Sequence, residues 1–113
     1  MQTVAETPLF TETANRVLGD SGRSDLVAYL AAFPFSGDVI PGTGGIRKLR
    51  IGAKGKGTRG GARAIYYVYD ADHPIVALLV YGKGESDDLS ADGKRQLAAM
   101  VAAIKAAWKG KGK

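Results

Sequence analysis

Arg47, Lys48, Arg50, Lys54, Lys56, Arg59 and Arg63 crowd into one short stretch that holds no acidic residue, and the acid-free region runs from position 39 to position 69. Cations gathered this way are not neutralised locally, so distant carboxylates or a polyanionic partner must meet them. The chemistry open to them is that of phosphate. Glycines interleaved through the stretch let backbone N–H groups approach a phosphate closely, and a merely solubilising surface would mix the two signs of charge. If the stretch spans two strands, Lys48 and Arg50 share one strand face, Arg63 enters the neighbouring strand, and Lys54, Lys56 and Arg59 hang on the connection between them. That arrangement predicts a cationic surface along one hairpin, of the kind that binds RNA.

Other residues with chemical potential are fewer. Tyr81 lies two positions before Lys83, and a strand period of two sets this phenol and ammonium on the same face. His73 is the only histidine and sits beside Pro74, where it reads as a turn residue without chemistry. Tyr66, Tyr67 and Tyr69 read as core or sheet-face aromatics. Asp70, Asp72, Asp87 and Asp88 read as a solvated turn and a helix-start bias in preference to a metal site. The glycines at 55, 57 and 60 match a dinucleotide-binding pattern, but the stretch leads into a strand, whereas a pyrophosphate site needs a helix N-terminus. No cofactor or metal is expected.

The elements that must position these residues fit one domain of 113 residues. Apolar residues make up 45% and charged residues 24%, as in ordinary globular proteins, and the formal net charge of +5 suits a phosphate-rich partner. Cysteine is absent, which excludes disulfides and thiolate sites and points to the cytoplasm. Neither a signal peptide nor a membrane span is expected.

A short edge strand is expected at 3–5. Phe10, Ala14, Val17 and Leu18 recur at helical spacing, 19–22 reads as a stop, and a second helix capped by Ser21 or Ser24 carries Leu26, Tyr29, Leu30 and Phe33 as far as Pro34. Together they predict a helical hairpin. A loop over 35–45 then leads to strands at 46–51, 62–70 and 75–82, the last two joined by a tight turn at 71–74 and rich enough in apolar residues for the sheet centre. Short connections predict antiparallel pairing. After an acidic loop, Ser90 caps a helix bearing Leu97, Met100, Val101, Ile104 and Trp108, and 109–113 reads as a frayed basic tail. The expected fold is α+β: an N-terminal helical hairpin, a three- to four-stranded antiparallel sheet and a C-terminal helix.

In residues 37–50, 54–63 with 65–67, and 79–85 followed by 88–90, the chain resembles the RelE/HigB toxins of bacterial type II toxin–antitoxin systems, within the RelE/ParE superfamily. The resemblance implies a ribosome-dependent, metal-independent endoribonuclease that cleaves messenger RNA and is held inactive by a cognate antitoxin, typically a helix-turn-helix DNA-binding protein. It also implies that Lys54, Lys56, Arg63 and Lys83 are the catalytic or phosphate-stabilising residues, with Tyr81 and Arg59 as helpers. Arg47, Lys48, Arg50 and Arg59 are the expected RNA-binding residues. The sequence departs from ribosome-dependent members that carry a catalytic tyrosine or histidine late in the chain, since neither follows Lys83.

The chemistry of the residues fits that expectation. Attack by the RNA's own 2′-hydroxyl needs a proton acceptor, charge stabilisation at the phosphorus and a donor to the leaving oxygen. Neighbouring ammonium groups depress one another's pKa, which readies Lys54 or Lys56 as base while Arg63 clamps. Two other readings carry different expectations: a ParE-like inhibitor of DNA gyrase, and a non-catalytic RNA-binding module.

Overall fold

The computed structural model describes residues 2–53, 57–82 and 90–111, with the side chains of 52, 53, 57–60, 110 and 111 left aside. In chain order the elements are β1 (Val4–Glu6), α1 (Pro8–Ala32), β2 (Asp38–Val39), β3 (Ile46–Ala53), β4 (Gly57–Tyr67), β5 (Ile75–Gly82) and α2 (Ala91–Lys111). The fold is α+β, with helices before and after the main strands. Among the described residues no helix is long and apolar enough to cross a membrane.

The sheet has five strands in the order β1-β5-β4-β3-β2, and it is mixed. This corrects the expected three- to four-stranded antiparallel sheet in two ways. β1 pairs with β5 in parallel, Val4 opposite Ile75 and Glu6 opposite Ala77, because everything from α1 to β4 intervenes and supplies the crossover a parallel pair requires. The stretch read as a loop also contains β2, whose Asp38 and Val39 pair with Lys48 and Arg47.

Strand bounds shift for identifiable reasons. β4 begins at Gly57 where the sequence reading began it at 62, since a ladder needs only backbone groups and the Ala53–Gly57 pairing recruits glycines despite their poor strand preference. Arg59 therefore lies within β4 and not on the connection. β4 stops at Tyr67, short of 70, and the link to β5 is longer than a tight turn: the Asp70 carboxylate accepts the N–H groups of Asp72 and His73, both at 2.9 Å, and so bends the chain locally.

α1 starts with Thr7 as its cap, the hydroxyl accepting the Phe10 N–H at 3.0 Å, and Pro8 in the first turn. The expected four-residue stop is a single residue, Gly19, at φ 80 and ψ 167. Ser21 and Ser24 are thus inside helical turns and not caps. The two arms fold back on one another: Arg23 Nε donates to Asn15 Oδ1 at 2.7 Å, and Arg23 also pairs with Glu6 at 3.0 Å. In a straight helix a separation of eight residues is about 12 Å, beyond the reach of that first bond. Phe33 caps the second arm before Pro34. Ser90 caps α2 as expected, accepting from Gly93 N at 3.1 Å, but the helix runs on to Lys111, two residues beyond the expected start of the tail at 109.

Strand alternation divides the interior into two cores. Ala62, Ala64 and Tyr66 of β4 pack with Phe10, Ala14, Leu18, Leu26 and Leu30 of α1. Ile65 and Tyr67 face the other way and pack with Leu97 and Val101 of α2. The sheet is thereby covered by a helix on each face.

Where β1 ends, α1 takes over the edge of β5. The Thr7 hydroxyl donates to the Leu78 carbonyl at 3.0 Å, and the Val80 N–H donates to the buried Thr13 hydroxyl at 2.9 Å. Thr13→Val keeps the shape and orphans that N–H, which costs about 1–3 kcal/mol. Urea unfolding is expected to show this loss for valine and to return most of the stability with Thr13→Ser; equal stabilities for valine and serine would rule out the bond as the cause.

Candidate nucleic-acid interface

Three residues from three strands stand in one row. Arg50 of β3 is directly opposite Arg63 of β4, and Arg63 is directly opposite Tyr81 of β5. With strands about 4.8 Å apart, the row spans roughly 10 Å. Lys48 is on the same face one step along, opposite Ile65. This is the α2 side of the sheet. α2 covers the end of that face where Ile46, Tyr67 and Val76 are buried, whereas Lys48 and Arg50 are exposed and Arg63 and Tyr81 are partly so.

Tyr81 reaches this row through a bulge. Ile65 is opposite Leu79, but Tyr66 is opposite Ala77, so Leu78 is an extra residue on β5. Strict alternation from Ile75 and Ala77 would turn Tyr81 toward α1. The extra residue switches parity, so that Val80 joins Ile75 and Ala77 in the α1 core while Tyr81 packs with Val76 and Leu78 on the α2 side.

The two arginines of the row make no ion pair among the described residues. Like charges directly opposite on a sheet are destabilising. A planar fork of donors on each strand, beside a phenol, is nonetheless suited to consecutive phosphate groups with a ring near one end.

Arg47 is elsewhere. By alternation it shares the α1 side with Leu49 and Ile51, and its guanidinium donates to the Gly37 carbonyl at 2.6 Å while standing 5.0 Å over the Phe35 ring. Its charge is thus spent on holding the segment before β2. The same segment is fixed by the buried Tyr66, whose hydroxyl accepts the Gly37 N–H at 2.8 Å. A Cβ at position 37 would lie 2.8 Å from that hydroxyl and 2.9 Å from the Lys48 carbonyl, so only glycine fits. Arg59 lies in β4 with its side chain undescribed, and Lys54, Lys56 and Lys83 lie outside the described residues, as do Asp87 and Asp88.

The remaining candidates are structural. Tyr67 is buried, and burial, then Tyr69 and Asp70, push its phenol up from the usual value, which keeps it in the neutral form. His73 is a hub at the far end of the sheet: its Nδ1 is 2.7 Å from Asp70, its ring stacks 4.6 Å from Trp108 of α2, and Tyr69 meets it edge-on. The Gln2 side chain donates to the Asp70 and His73 carbonyls, tying the N-terminal segment to this turn. The sequence held no signal for Gln2 or for the bulge.

A groove of about 380 Å³ between α1 and the end of β3 opens on the opposite face from the row and is lined mainly by apolar residues.

No protein-family model matches the chain.

The hydrogen bond from His73, followed by the backbone N–H groups it accepts, holds the Asp70 carboxyl below its ordinary 3.8. A carboxyl lowered on folding contributes stability that is whole above that ordinary value and is lost as pH falls through the folded one. Acid titration of unfolding is expected to show wild type losing part of its stability below about pH 4 and Asp70→Asn lacking that component; superimposable acid limbs would show that Asp70 carries none of it.

Proposed function

We propose that the chain is the toxin of a type II toxin–antitoxin system, an endoribonuclease that cleaves messenger RNA on the ribosome and so inhibits translation. The observation that carries this reading is the row of Arg50, Arg63 and Tyr81, in register across three strands on the α2 side of the sheet, where Arg50 is exposed and Arg63 and Tyr81 are partly so. The resemblance of the sequence to RelE/HigB toxins and the α+β architecture support it.

In this reading the RNA backbone crosses the strands. Arg50 and Arg63 hold adjacent phosphates, and Tyr81 stacks on a base or passes a proton. The 2′-hydroxyl loses its proton to a lysine, its oxygen bonds to phosphorus, and the bond to the 5′-oxygen breaks, with that oxygen taking up a proton and a 2′,3′-cyclic phosphate remaining. Lys54, Lys56 and Lys83 are the lysines proposed for these proton transfers. They adjoin in sequence the ends of the strands that carry the row: Lys54 and Lys56 lie between Ala53 and Gly57, and Lys83 directly follows Gly82. Arg63 offsets charge that grows on the phosphate oxygens as the bond forms. A cognate antitoxin keeps the activity in check.

The test separates chemistry from binding. Arg63→Ala is expected to slow single-turnover cleavage of mRNA on programmed ribosomes by about 100- to 1,000-fold, as loss of a charge-stabilising donor does, and to relieve growth arrest in cells. Arg47→Ala, on the other face, is expected to stay within about tenfold of wild type once its folding is verified. Equal losses for the two would overturn the site. Intact transcripts with DNA breaks would point to gyrase, and salt-dependent RNA binding without cleavage, with a slope of about −0.7 per phosphate, to a binding module.

A further inference from the structure

α1 bends at Gly19, whose φ of 80 and ψ of 167 belong to a region that glycine alone occupies without strain. The bend also needs Gly22. A Cβ there would lie 2.7 Å from the Leu18 Cβ, closer than two such atoms stand, whereas in a straight helix the Cβ atoms of residues four apart are separated by about 5–6 Å. Both glycines are at the same time poor helix formers, which disfavours a straight α1. The element therefore has two backbone arrangements, bent as it stands or continuous over its 25 residues, and two glycines weight the choice.

The bend separates residues 2–18 from the rest of the chain, to which that segment is held by contacts distant in sequence. β1 pairs with β5, the Thr7 hydroxyl donates to the Leu78 carbonyl, and the Thr13 hydroxyl accepts the Val80 N–H. Phe10, Ala14 and Leu18 fill the core beside β4. Glu6 and Asn15 meet Arg23 of the second arm. None of these contacts depends on which copy of the chain supplies the segment. Along a straight α1 Arg23 would stand about 12 Å from its own Asn15, out of reach, yet free to meet the same residue of another copy.

We infer that two copies of the chain exchange residues 2–18. Gly19 turns helical, α1 straightens to about 37 Å, and β1 with the first arm enters the other copy, where β1 pairs in parallel with that copy's β5. The two straight helices then lie antiparallel about a two-fold axis, the first arm of each against the second arm of the other. Gly19 and Gly22 fall near the crossing, where the missing side chains let the backbones approach. The contacts named above are remade between copies, and the straight helix regains the internal bonds that helix ends give up at a bend. A chain by itself keeps the bent form, and rising concentration favours the pair by mass action. Arg50, Arg63 and Tyr81 lie outside the segment, so the exchange leaves the row whole and does not rest on the function proposed above.

Two measurements on the full chain test the exchange. Gly19→Ala combined with Gly22→Ala disfavours the bend and favours the straight helix, and light scattering after size exclusion is expected to show a folded species of twice the monomer mass. A folded monomer would overturn the inference. If that variant does not fold, the decision falls to two chains that keep both glycines, Glu6→Arg and Arg23→Glu, each of which sets like charges together within one copy. Unfolded, mixed in equal amounts and refolded at raised concentration, they recover opposite pairs only by exchange: the two substituted side chains face each other, and the native Glu6 and Arg23 do likewise. Native mass spectrometry is expected to show mainly the mixed dimer, melting at least about 4 °C above either chain alone. Two monomers that melt as each does alone would overturn the exchange.

Discussion

Alternation along β4 is the constraint on which the rest of the molecule depends. Ala62, Ala64 and Tyr66 must meet α1 while Arg63, Ile65 and Tyr67 turn to the other side. A slip of one residue would bury Arg63 against α1 and send Tyr66, whose hydroxyl accepts the Gly37 N–H, out of its core. The register is pinned from several directions at once. Tyr66 ties β4 to the segment before β2, Arg47 grips the same segment from β3, and Thr13 fixes β5 to α1. Each bond satisfies a backbone group that burial would otherwise leave costly.

Given that register, the bulge at Leu78 decides what stands beside Arg63. Bulges twist a strand and re-aim its side chains, and they leave one residue without a ladder partner. Here the outcome is a phenol in one row with two guanidinium groups on the α2 side of the sheet, with Arg50 exposed and Arg63 and Tyr81 partly so. The local arrangement is adverse to stability, because Arg50 and Arg63 oppose each other without a counter-charge among the described residues. A polyanion reverses the sign of that interaction. The two cores on either side of the sheet are what let the fold tolerate it.

Much of this was legible in the sequence, and the exceptions share a cause. Helix stripes, the ends at Pro34 and Ser90, and the apolar central strands follow from local periodicity and caps. So did Lys48 and Arg50 on a common face. The placement of Arg47 with Leu49 and Ile51 was equally readable from period two, yet charge clustering alone had grouped it with the others. What was not legible depends on distant partners. β1 finds β5 across most of the chain, β2 is two residues long, and the glycine-rich start of β4 pairs through backbone groups that carry no side-chain signature. A bulge likewise leaves no mark in a run such as 75–82, apolar on both faces.

The allocation of titratable groups narrows the chemistry open to the row. The sole histidine, the usual carrier of a proton near neutral pH, is committed to Asp70, Trp108 and Tyr69 at the opposite end of the sheet. From Arg63 to Tyr69 the strand and its continuation cover about 20 Å, too far for His73 to serve the row directly. Cysteine is absent from the chain. In the function proposed above, proton transfer at the row would therefore fall to lysine or tyrosine, since arginine is the poorest of acids. In the function proposed above the row acts through clustered positive charge, which offsets the charge growing on the phosphate oxygens.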